Sequence, residues 1–100
     1  MDKLEQKLTQ KIAESCVKAK LECGLDTAFV EKQLEQKGAV FMLKNFSKKG
    51  MVSPLFDQLK EKNRLDLSPE AIASKGEYAA LFTDAEADWF LHVLCEAEYF

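Results

Sequence analysis

The chain's only histidine, His92, lies between two carboxylates on one predicted helix face. Asp88 precedes it by four residues and Glu96 follows it by four, so the three side chains would be neighbours on a helix surface. Such a trio can bind a metal ion weakly or transfer protons, and the carboxylates favour the charged imidazole. We interpret it as a solvated polar stripe, because catalysis needs further groups that the sequence does not place beside it.

Three cysteines are the other candidates for chemistry. Cys16 and Cys23 are seven residues apart on one predicted helix, Cys95 lies near the other end of the chain, and no C-x-x-C motif occurs. A zinc site made from these three and His92 would require the fold to bring them together. The odd count and the spacing instead predict three free thiols, with no metal and no cofactor.

A basic segment occupies the middle of the chain. Residues 37–64 contain seven basic residues against two acidic ones, a net charge of +5, whereas residues 65–100 contain one lysine against eight acids, a net charge of −7. This segment could bind nucleic acid or steer a charged partner. Alternatively, the acidic end neutralises it within the fold. The candidate basic patch consists of Lys44, Lys48, Lys49, Lys60, Lys62 and Arg64.

The stretch SPLFDQLKEKNRLDLSPEAIASKG resembles a helix-turn-helix, but its second helix, PEAIASK, offers one lysine and one glutamate. A recognition helix needs more polar and basic side chains, and the whole chain has a net charge of −3. These features argue against nucleic-acid binding. The sequence has no glycine-rich phosphate loop, no G-x-S-x-G and no H-E-x-x-H, so we expect no enzyme.

The composition predicts one domain, residues 1–100. Apolar residues make up 47% of the chain and charged residues 31%, which is typical of a globular protein with one modest core. No run approaches the ~18 apolar residues of a membrane span. The N-terminal MDKLEQKLTQK lacks the apolar core of a signal peptide, and together with the odd number of cysteines this predicts a cytoplasmic protein.

Helical periodicity dominates the chain and predicts an all-α fold. The first helix should cover residues 2–23. Val17 and Leu21 add apolar surface on another side, so we expect the second half of this helix to be more enclosed than the first. Asp26 or Thr27 should cap a second helix. The apolar run 39–43 fits a buried strand by pattern alone, but we favour a helix because no second strand is available. The apolar face of the first helix comprises Leu4, Leu8, Ile12, Cys16, Ala19 and Cys23.

Serine–proline pairs mark two further helix starts, at Ser53-Pro54 and Ser68-Pro69, since proline at the first helical position has no N–H to leave unpaired. Residues 77–82 are long enough only for a turn of helix or a 3₁₀ helix. Together these segments predict a compact bundle of five or six short helices.

The last helix begins with a capping box formed by Thr83 and Glu86. Apolar residues then cover roughly 240° of its circumference. We expect it to be the central helix of the bundle. The alternative is a core helix whose outer flank is an interface.

The candidate interface consists of Trp89, Val93, Tyr99 and Phe100. Trp89 lies at the edge of the apolar arc beside the polar stripe, where aromatic residues often anchor a partner. The two terminal aromatics either dock onto the core or form an adhesive tail.

The segment from Arg64 to Leu94 resembles the C-terminal part of a loose group of short, uncharacterised bacterial helical proteins. These share an R-L-D-L-S/T-x-E-A stretch, then x-Y-A-P-L-F-T/S and an acidic, capped final helix. Arg64–Ala71, Tyr78–Thr83 and Glu86 match this pattern, whereas Ala80 replaces the expected proline. The resemblance implies a small helical bacterial protein and no activity.

These features predict a small non-catalytic protein-interaction module, such as an adaptor, an inhibitor or a regulator. We expect a protein partner, with a homodimer as one form of it, and no membrane. The alternative function is a nucleic-acid-binding regulator that uses residues 37–64.

Overall fold

Six α-helices and two short 3₁₀ helices make up the computed structural model, which describes residues 3–99. No strand occurs in this range, so the all-α prediction is confirmed and the run 39–43 is helical. The α-helices are α1 (Lys3–Cys23), α2 (Ala28–Gln36), α3 (Ala39–Lys48), α4 (Pro54–Glu61), α5 (Pro69–Ala73) and α6 (Asp84–Glu96), and the 3₁₀ helices are Leu65–Leu67 and Gly76–Leu81.

The first helix, rather than the last, forms the centre of the bundle. Helix α1 packs against α2, α3, α5 and both 3₁₀ helices, whereas α6 packs mainly against α3 and α5. Only Phe90, Val93 and Leu94 of α6 are buried, and Leu91 is 42% exposed. The prediction of a central last helix is therefore wrong, because the other elements surround α1 and leave one side of α6 in solvent.

The predicted apolar face of helix α1 is confirmed, but the prediction that its second half is more enclosed is wrong. Leu8, Ile12 and Cys16 are fully buried. Val17 is 51% exposed and Leu21 is 79% exposed, so the added apolar surface faces solvent. The helix is one-sided along its whole length.

The capping box at the start of α6 is confirmed. The backbone N–H of Glu86 donates to Thr83 Oγ1 at 3.2 Å, and the backbone N–H of Thr83 donates to Glu86 Oε1 at 2.8 Å. Both donors are free at a helix start unless a side chain accepts them. At the start of α2, Thr27 is the N-cap residue, and Asp26 Oδ1 accepts from the N–H of Ala28 at 3.0 Å.

A buried carboxylate joins the starts of α4 and α5. Ser53 precedes α4, but its hydroxyl donates to Glu70 Oε1 at 2.9 Å instead of capping the helix, and its N–H donates to Oε2 at 2.6 Å. Both residues are 1% exposed. Burial raises the pKa of Glu70 above its ordinary range, although the hydrogen bonds from Ser53 oppose the shift. Ser68 caps α5 as predicted, accepting from the N–H of Ala71 at 3.1 Å.

The second 3₁₀ helix supplies a fully buried aromatic side chain, Tyr78. Its hydroxyl has no hydrogen-bond partner among residues 3–99. An unpaired buried hydroxyl costs free energy, so Tyr78 contributes to the core through its ring.

Candidate functional site

A groove between α3 and α6 is the first part of the candidate site, and we call it the α3–α6 groove. It has a volume of about 750 Å³ and opens to solvent. Phe41 and Lys48 lie about two turns apart on the α3 wall, and Ala85 and Trp89 lie about one turn apart on the α6 wall. Phe41 is 53% exposed, which is high for a large aromatic side chain.

A second groove, which we call the Met51 groove, lies on the other side of Trp89. It has a volume of ≈ 570 Å³, and Trp89 lines both grooves. Met51 and Phe29 line it and are each 52% exposed. Its one carboxylate is that of Asp57. The two grooves share Trp89 in their linings, and we call the surface that they form together the Trp89 surface.

The indole of Trp89 is held in place by its neighbours. Its Nε1–H donates to the backbone carbonyl of Met51 at 3.1 Å, which connects α6 to the segment between α3 and α4. The ring of His92 lies with its centroid 5.8 Å away, tilted by 33°. An aromatic side chain that is already fixed loses little conformational freedom when a partner binds.

Charge in the α3–α6 groove is partly neutralised by Glu86. Lys44 Nζ lies 2.8 Å from Glu86 Oε1 and 5.8 Å from the ring centroid of Phe82. Partial burial alone would raise the pKa of Glu86, but the hydrogen bonds from Lys44 and from the Thr83 N–H outweigh it and lower that pKa. One carboxylate therefore serves both the capping box of α6 and the contact with α3.

The four candidate interface residues occupy different environments. Trp89 is partly buried and lines both grooves, and Val93 is only 8% exposed, so it offers little area to a partner. Tyr99 is 41% exposed and lines a separate groove against α1 and α5. Phe100 lies outside the described residues.

The six candidate basic residues do not form one uniform patch. Lys44 is paired with Glu86, and Arg64 is paired with Glu22 at 2.8 Å and with Asp66 at 3.3 Å. The acidic end of the chain thus neutralises part of the basic segment. The other four lysines are exposed and lie near the C-terminal ends of α3 and α4, where the helix dipole favours cations: Lys48, Lys49, Lys60 and Lys62.

The histidine and the three cysteines, which the sequence offers for chemistry, have ordinary surroundings in the part of the chain that the structure describes. His92 Nε2 lies 3.3 Å from Glu96 Oε1, and both side chains are more than half exposed. The three thiols are free, and burial raises the pKa of Cys16 to about 11, which disfavours the nucleophilic thiolate. Within residues 3–99 no three His, Cys, Asp or Glu side chains are arranged to hold a metal ion.

The exposed apolar residues around Trp89 were not predicted from the sequence. Phe41 lies within the run 39–43, whose five consecutive apolar residues predict a buried segment. On a helical wheel, however, Phe41 lies about 160° from both Ala39 and Leu43, which are buried, and this signal could have identified it. Met51 and Phe29 carry no comparable signal, because their exposure depends on how α2 and the α3–α4 connection pack.

Comparisons with protein-family models, with curated proteins and with solved structures found no match to this chain. Among residues 3–99, no helix combines the length and the apolar character that crossing a bilayer requires. The resemblance of residues 64–94 to short bacterial proteins stays a prediction.

Proposed function

We propose that the protein is a small, non-catalytic protein-interaction module that binds a partner through the Trp89 surface. One observation carries the proposal: Phe41, Met51 and Phe29 are each more than half exposed, and all three line the grooves that flank Trp89. Exposed apolar side chains that cluster around a fixed aromatic residue are typical of binding sites. An adaptor, an inhibitor or a regulator would work in this way.

The setting we propose is the cytoplasm, since three free thiols fit a reducing compartment. The nucleic-acid alternative has weaker support. Lys44 and Arg64 already have acidic partners, and the remaining lysines are divided between the ends of α3 and α4.

Site-specific photo-crosslinking in the cells that encode the protein tests the proposal. A benzophenone amino acid replaces Phe41 in one variant and Leu21 in a matched control, because Leu21 is also apolar and exposed but lies on α1. We expect a discrete protein adduct from position 41 and none of that mass from position 21.

Identical adducts at both positions, or none at position 41, would contradict the proposal. Adducts to nucleic acid at position 41 would favour the alternative function. Retention on DNA that falls steeply with salt would point to the same conclusion.

A further inference from the structure

The partner's chemistry can be inferred from the α3–α6 groove, and this inference rests on the proposed function. We propose that the groove binds an acidic amphipathic helix of another protein. Both walls of the groove are helices, and an amphipathic helix lying in a groove between two helices is a recurring mode of peptide recognition. The shape, the apolar lining and the distribution of charge each support this occupant.

Trp89 divides the apolar lining of the Trp89 surface between the α3–α6 groove and the Met51 groove. Phe41 and Ala85 lie on one side, and Met51 and Phe29 lie on the other. A helix presents large apolar side chains from one face at spacings of three, four and seven residues. Such a helix would place apolar side chains in both grooves, with Trp89 between them.

The size of the molecule suits a short helix as the occupant. The molecule measures 31 × 28 × 23 Å. A helix of about 16 residues is about 24 Å long, enough to cross one face of the molecule. It would bury apolar side chains that the chain itself leaves exposed.

The α3 wall carries positive charge that no carboxylate of the described chain neutralises. Lys44 is paired with Glu86, but Lys48 on the groove wall and Lys37 beside it form no ion pair within residues 3–99. Lys37 Nζ lies 5.5 Å from the ring centroid of Phe41, so this charge adjoins the apolar lining. Carboxylates on a bound helix would complement these lysines.

The charges also orient the bound helix. Asp84 and Asp88 are exposed on α6 and directly precede Ala85 and Trp89 of the groove wall, so carboxylates on the α6 side of a partner would be repelled. The acidic flank of the helix therefore faces α3. The same carboxylates disfavour a nucleic acid, whose charge is uniformly negative.

A display library of helical peptides of about 16 residues tests this chemistry. The apolar stripe varies among Leu, Met and Phe, and each flank varies among Glu, Lys and Gln. Because the protein has a single tryptophan and the peptides have none, emission from Trp89 reports binding at this surface. We expect enrichment of Glu on one flank and a saturable change in Trp89 emission with the enriched peptides.

Variants locate the binding site. Phe41→Ala and Lys48→Glu should each weaken binding of the enriched peptides by about tenfold or more. Leu21→Ala and Lys60→Glu are the matched controls on other helices, and they should leave the affinity unchanged. All four side chains are exposed, so thermal melts should show folded proteins.

Enrichment of Lys or of uncharged flanks would overturn the acidic assignment. An absence of enrichment, or binding that is insensitive to Phe41→Ala and Lys48→Glu, would overturn the groove assignment. Self-association that is lost in Phe41→Ala, measured by sedimentation velocity, would replace the partner helix with a second copy of this chain. Displacement of the peptide by nucleic acid at equal charge concentration would favour nucleic acid.

The two proposals fail in different ways. If position 41 crosslinks to a protein in cells but no acidic helix is selected, the interaction module stands and the helix assignment is wrong. If acidic helices are selected but no protein adduct forms in cells, the groove chemistry stands and the proposed function fails.

Discussion

Replacing the buried Glu70 should separate its role in packing from the effect of its charge. Glu70→Ala removes both acceptors of Ser53 and leaves a buried N–H and a buried hydroxyl unpaired. Each unpaired group costs about 1–3 kcal/mol, so with the cavity we expect a loss of about 3–5 kcal/mol. For a domain of this size that lowers Tm by roughly 15–30 °C.

Glu70→Gln keeps the shape and an oxygen acceptor for the Ser53 N–H, so it should differ from the wild type by about 1 kcal/mol at low pH. The pKa of Glu70 is raised above its ordinary value of 4.5, by burial first and also by the neighbouring Asp57. Its protonated form therefore favours the fold below that value, and this contribution is lost as the pH rises through the folded-state pKa. The glutamine variant should gain stability relative to the wild type as the pH increases.

Urea denaturation of the wild type and both variants at several pH values between about 4 and about 8 measures these effects. Both proteins contain the other carboxylates, so the effect of these groups on stability cancels in the difference between the unfolding free energies of the wild type and Glu70→Gln. This includes Glu86, whose lowered pKa makes stability rise with pH rather than fall. A glutamine variant that becomes less stable relative to the wild type as the pH rises would refute the reasoning. That result would mean that the ionised carboxylate stabilises the fold.

Two further substitutions and one chemical modification test other parts of the structure. Thr83→Ala should cost about 1 kcal/mol, because it leaves the Glu86 N–H without its cap, and an unchanged denaturation midpoint would mean that this cap contributes nothing. In the folded protein, a thiol reagent should modify the exposed Cys95 long before the buried Cys16, and equal rates in peptide mapping would contradict the described burial. Tyr78→Phe should leave stability unchanged or raise it, because it removes an unpaired buried hydroxyl, and a loss above about 1 kcal/mol would reveal a partner.

Local signals predicted the helices but not their arrangement. The capping box at Thr83 and the proline at position 69 act within one turn of chain, so the sequence alone identifies both helix starts. Which helix lies at the centre depends on what packs around it. A helical wheel shows which side chains of α6 are apolar, but the packing of the other elements decides which of them are buried.

The candidate site was predicted in part. Trp89 was found because an aromatic residue at the edge of an apolar arc is visible on a helical wheel. Its hydrogen bond to Met51 joins residues 38 positions apart, and the hydrogen bonds between Glu70 and Ser53 join residues 17 positions apart. Contacts at such separations depend on tertiary packing, and no spacing rule within a single helix reveals them.

The central position of α1 has a consequence for folding during synthesis. Its apolar face is covered by α3, by α5 and by the second 3₁₀ helix, which ends at Leu81. The ribosome adds about 5–20 residues per second, so part of this face stays uncovered for several seconds after α1 emerges. We expect nascent chains stalled before Leu81 to be cleaved readily by protease, and chains released at full length to resist it. During that interval the uncovered part of the face is open to aggregation, and the exposure ends when the later helices of the same chain pack against α1.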